Sequence, residues 1–265
     1  MDIRYTDPGF DYSIDSIFLF QTEDETPFWT DSLYYFYPQL DRARTAALLP
    51  AERRVYVTDT LRGVYEQLQP ELAHKTQAYT AHWQAHRPQV EAAFSEAFET
   101  DTRLLFNDLQ GRITLNPVSP RFLQEHTFDV FHLNSERGAL GVSLHEMIHF
   151  LWFRAWNDLH HDSRDDYERP HMKWILSEMV VESIMRDPRL SSINPYFPRE
   201  HGGCVYPYFQ DMVVEGQPAL DTLDTLDAMY RQRDSLRAFM GESYAWCLAH
   251  EADIRAHIQQ AEQTF

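Results

Sequence analysis

The sequence predicts an α+β fold, predominantly helical, with a small sheet near its middle. Three observations carry that expectation. Apolar residues recur at helical spacing through most of the first hundred residues and again from about Leu220 to the end. Two short segments, RITLNPV and TFDVFHLN, instead cluster β-branched and aromatic residues between turn signals, as strands do. The stretch from Gly138 to Trp156 is apolar around its whole circumference, the mark of a buried helix. Helices, then a small sheet, then helices again is the order of an α+β chain.

Along the chain, MDIRYTDPGFDYSIDSIFLF reads as a strand-like, acidic N-terminal arm. FWTDSLYYFYPQLDRARTAALLP opens on a capping pattern and continues at helical spacing, so it reads as one helix. AERRVYVTDTLRGVYEQL, PELAHKTQAYTAHWQAH and PQVEAAFSEAFET follow as three amphipathic helices. Pro70 and Pro88 fall in the first turns of the second and third, where the missing N–H has no helical partner to lose. After the two strands come the buried helix, an acidic loop NDLHHDSRDDYER, a helix starting near Pro170 and two more helices from about Leu220. The expected division is a helical N-terminal region, 1–104, and a core, 105–265. With no repeat, low-complexity tract or Gly/Ser linker to mark a boundary, one continuous domain over 1–265 is the alternative.

Bulk properties limit the function. The chain of 265 residues is long enough for a sizeable core. With 23 Lys+Arg against 41 Asp+Glu, a formal net charge of −18, it offers no basic surface to neutralise phosphates, and nucleic acid is excluded as an expected partner. No apolar stretch reaches the roughly 18 uncharged residues that span a bilayer, so no membrane partner is expected either. Cys204 and Cys247 lie far apart without CxxC spacing, and the acidic N-terminus lacks the basic start and apolar run of a signal peptide. Both point to the cytoplasm.

The buried helix poses the chemical question. SLHEMIHFLWFRAW places His145, Glu146 and His149 inside an apolar segment, where ionisable groups cost several kcal/mol unless compensated. Four residues apart on a helix, His145 and His149 lie about 40° around and about 6 Å along the axis from each other, so both imidazoles can reach one metal ion. Glu146, beside the first of them, is placed to act as general base toward a water that the ion acidifies, the HExxH arrangement of zinc peptidases.

A catalytic zinc needs a third protein ligand. The extended HExxHxxGxxH pattern would require Gly and His where this chain has Trp152 and Ala155. His160 and His161 sit in a loop dense with charge, where exposure is the ordinary expectation. KWILSEMVVESIM carries Glu178 and Glu182 four apart on one helical face. Trp174, Ile175 and Val181 surround Glu178, and a carboxylate in such company needs a cation. The expected ligands are therefore His145, His149 and Glu178, with the loop histidines as the alternative. Glu182 either accepts the free ring N–H of a ligating histidine or pairs with Arg186 one turn on.

HEMIH followed by a helix carrying SEMVVE resembles the gluzincin-type zinc metallopeptidases. The resemblance covers roughly residues 112–186 and is one of motif and order. It implies a zincin-like catalytic core with an HExxH active-site helix, a Zn2+ cofactor, and a peptide or protein substrate lying antiparallel to an edge strand ahead of that helix. TFDVFHLN is the matching segment, and strand addition would hold an extended peptide. The spacing of about 28 residues between His149 and Glu178 is longer than in the best-known members, and Glu182 stands where they carry Asp. An oxyanion-stabilising donor is sought in REHGGCVYPYF, with His201, Tyr206 and Tyr208 as candidates beside Gly202 and Gly203. A zincin-like protein that binds metal or a partner without proteolysis is the competing function, and the intact Glu146 argues against it.

Overall fold

A computed structural model describes residues 1–22, 25, 27–161, 164–194, 209, 212–216 and 219–264. The fold is mostly helical with one four-stranded mixed sheet. In chain order the elements are β1 (Ile3–Thr6), α1 (Phe10–Phe18), α2 (Pro27–Phe36), α3 (Arg42–Ala47), α4 (Pro50–Ala97), β2 (Leu109–Thr114), β3 (Arg121–Phe122), β4 (Thr127–Phe131), α5 (Glu136–His160), α6 (Met172–Met185), α7 (Pro188–Ser191), α8 (Ala219–Gln232), α9 (Leu236–Ala249) and α10 (Glu251–Thr264). Among the described residues no helix is long and apolar enough to cross a membrane.

Several elements differ from the expectation for physical reasons. The three helices expected after residue 50 are one helix of 48 residues, α4. Pro70 and Pro88 lie in its interior, on its exposed side. A proline there removes one hydrogen bond and crowds the preceding turn at about 3 kcal/mol. On an exposed face the released carbonyls are hydrated, while the opposite face keeps a buried stripe through Val57, Leu61, Leu72, Tyr79, Trp83, Val90 and Phe94. The helix expected from Phe28 on is two, α2 and α3, because Pro38 drives the residue before it out of helical conformation. Within the acidic arm only Ile3–Thr6 is extended, and α1 follows it. The C-terminal segment holds three helices, since α9 ends at His250 with a non-helical φ of −114°.

The chain divides into two compact units, and neither is one continuous stretch. One comprises Asp2–Ala85 and Phe106–Ser143 and contains the whole sheet. The sheet order is β1-β2-β4-β3, with β1 and β4 parallel to β2 and β3 antiparallel to β4. The expected boundary after residue 104 would part β1 from β2, its hydrogen-bonded neighbour from Ile3↔Leu109 to Thr6↔Arg112. Gly111 is required by that pairing, because a Cβ there would meet the Tyr5 ring at 2.7 Å. Phe10, Ile14, Ile17, Leu33, Leu61 and Phe131 belong to the apolar core of this unit.

The segment TFDVFHLN is a strand, as expected, but not the free edge the resemblance implied. β3 folds back on β4 through Phe122↔Thr127 and Arg121↔Phe128, and the Asp129 N–H donates to the Pro120 carbonyl at 2.9 Å. β2 covers the other side. All five β4 residues are buried. A two-residue strand has no periodicity to betray it, which is why β3 escapes a reading of the sequence.

Asp129, on β4, is fully buried and accepts hydrogen bonds from the hydroxyls of Ser16 and, at 2.9 Å, Tyr12. Burial pushes its carboxyl up to about 6, against the opposing pull of Ser16, Tyr12 and Arg112. A folded pKa above the ordinary carboxylate value means the folded chain holds an extra proton between about pH 4 and 6, so this group's contribution to stability falls as pH rises through that window. An Asp129→Asn variant lacks the titration. Its stability relative to the parent chain is expected to rise by about 2 kcal/mol between pH 4 and pH 7, measured by urea unfolding at each pH. A difference that stays constant with pH would contradict the shift.

The second unit comprises Met1, His86–Leu105 and Leu144–Thr264. Its central element is α6, buried on nearly every face and packed against α8 and α9. Trp152 and Trp156 of α5 pack edge-on to Phe239 at 5.9 Å and Tyr244 at 4.9 Å. This unit holds all the described candidate site residues.

Candidate metal centre

Helix α5 presents the motif as its spacing requires. Leu144, Met147, Ile148, Leu151 and Trp152 are buried around His145, Glu146 and His149, so the polar side chains occupy one sector of an otherwise apolar helix. The rings of His145 and His149 stand 4.9 Å apart, inclined at 61°, with their Nε2 atoms 3.1 Å from each other. Glu178 arrives from α6, 4 % exposed, with Trp174, Ile175 and Val181 buried beside it. Its Oε2 lies 3.6 Å from His145 Nε2 and 3.4 Å from His149 Nε2. Among the described residues these three form the one group of His, Cys, Asp or Glu able to hold a metal ion, with ligand atoms within 4.8 Å of one another.

Whether zinc fits can be tested on these separations. Donors around a tetrahedral ion with bonds of about 2.0 to 2.1 Å lie about 3.3 Å apart. The observed separations, 3.1, 3.4 and 3.6 Å, bracket that value. The donor set is also the right kind, two imidazoles and one carboxylate, three protein ligands as in catalytic zinc sites. The His149 side chain is completely buried and that of His145 is 22 % exposed. Glu146, one residue from His145, is 6 % exposed.

Glu182 is buried one turn beyond Glu178, and Arg186 Nη1 lies 3.9 Å from its Oε1. The same guanidinium nitrogen is 3.8 Å from Asp227, which pairs with Arg231 at 2.9 Å. Two buried acids and two arginines thus form a chain between α6 and α8 whose charges balance. Glu182 lies beside a guanidinium, and Glu178 lies within 3.6 Å of both His145 and His149. Of the two alternatives open in the sequence, the Arg186 pair is present in the structure. Asp227 was not singled out from sequence; its only signal there is the i,i+4 spacing to Arg231.

His160 and His161, the alternative third ligands, are exposed and lie outside the group. The His160 ring packs on Trp156 at 4.7 Å instead. His201, Tyr206 and Tyr208, the oxyanion candidates, fall outside the described residues. Comparison of the chain with protein-family models, with curated proteins and with solved structures gives no match in any of the three.

Proposed function

We propose that this chain is a zinc-dependent metallopeptidase of zincin-like, gluzincin type, acting on a peptide or protein in the cytoplasm. The observation that carries the reading is the convergence of His145, His149 and Glu178 from two helices, at the separations a tetrahedral zinc demands. His145, His149 and Glu178 would hold the ion, and zinc in such a site supplies Lewis acidity that brings the pKa of water to about 7. Glu146, the carboxylate next to His145 in the chain and 6 % exposed, would accept the proton that the attacking water gives up and return it to the leaving amine. The apolar walls formed by α5 and α6 exclude bulk water from these groups and strengthen their interactions. The net charge of −18 keeps nucleic acid out of the list of partners.

Digestion of a random peptide library tests the activity. The zinc-loaded protein is expected to cleave it, a chelator to abolish cleavage, and added zinc to restore it. A library left intact by protein with one zinc per chain would reverse the reading in favour of a metal-binding protein without proteolytic function.

A further inference from the structure

A helix fixes where an imidazole begins but not how its ring is turned, because rotation about the Cβ–Cγ bond of histidine is broad and roughly two-fold. Nε2 lies off that axis and swings with the ring. A site whose donors must stay near 3.3 Å from one another therefore needs something to hold the ring plane.

For His149 the structure supplies a stack. One turn on, the Phe153 ring lies nearly parallel to it, at 17°, with centroids 6.4 Å apart. Phe153 in turn lies nearly parallel to Tyr167, at 18° and 4.5 Å. All three side chains are buried, at 0 %, 3 % and 2 % exposure. Tyr167 closes the short turn Arg164–Tyr167 in the connection between α5, which carries two of the donors, and α6, which carries the third. Beside it, Asp166 accepts from Lys173 Nζ at 2.7 Å, tying that turn to the start of α6. Offset parallel rings at these distances attract one another and resist rotation.

Resting on the zinc reading, we infer that Phe153 and Tyr167 are positioning residues that set the ring plane of His149. Removing the stack loosens the metal although no ligand is touched. The test compares zinc dissociation constants, and the visible spectrum of the Co2+-substituted protein, for the parent chain, Phe153→Leu, Tyr167→Leu and Tyr167→Phe. The two leucine variants are expected to weaken zinc about 10-fold, as loss of a supporting neighbour does, and to alter the Co2+ bands. Tyr167→Phe, which keeps the ring, is expected to match the parent chain. If Phe153→Leu does not fold, the two Tyr167 variants carry the comparison. Parent-like zinc affinity and spectrum in Tyr167→Leu, with only a lowered Tm, would overturn the inference and leave the zinc reading standing. Equal loss in Tyr167→Phe would also overturn it, by giving the role to the hydroxyl. A parent chain that takes up neither metal would instead remove the zinc reading itself, and the inference with it.

Discussion

Glu146→Gln protein is expected to bind zinc as the parent chain does and to lose peptide turnover by about 10²-fold or more. The amide keeps the volume and much of the hydrogen bonding of the carboxylate but cannot accept a proton at neutral pH. Glu146 is 6 % exposed in an apolar helix, and a carboxylate is not kept in such a place for solubility. Zinc content and kcat measured on the same preparation separate binding from chemistry. Retained zinc with a parent-like rate would move the base to another residue.

The second large effect separates two carboxylates one helical turn apart. Glu178→Ala is expected to weaken zinc by about 10²-fold to 10³-fold, the share of one ligand where zinc binding is worth about 10 to 16 kcal/mol in all. Glu182→Ala is expected to cost about 10-fold, the low end for a residue outside the ligand set, because Arg186 is its ion-pair partner. That substitution also leaves Arg186 with Asp227, 3.8 Å away. Competitive titration against a chromophoric chelator gives both constants. The larger loss at Glu182 would show the two roles reversed.

The grouping of His145, His149 and Glu178 was legible because its signal is local. His145 and His149 share a helical face, and Glu178 announces itself through the apolar company of Trp174, Ile175 and Val181, all of which are buried. The start of α6 near Pro170 and the strand β4 could be read for the same reason, whereas RITLNPV meets β2 only over residues 112–114, because the strand starts at Leu109, ahead of the β-branched run, and ends at Thr114. What could not be read depends on which face of an element meets solvent. Pro70 and Pro88 stop a helix in isolation, yet α4 runs through both because they fall on its exposed side. The pairing of β1 with β2 joins residues about a hundred apart in the chain and has no sequence signature, so the division into units was not visible. β3 covers the outer side of β4 with two residues, and a strand that looked like an edge became an interior one. The Phe153–Tyr167 stack joins α5 to the turn that follows it, and nothing in either segment points to the other.

His145, His149 and Glu178 are expected to hold one zinc ion together. Elemental analysis of the purified chain beside a His145→Ala/His149→Ala double variant tests it most directly. One zinc per parent chain and none in the double variant is the predicted result. A metal stoichiometry unchanged by the double substitution would contradict it, and the convergence of the two imidazoles on Glu178 would then be a hydrogen-bonded cluster within the protein core.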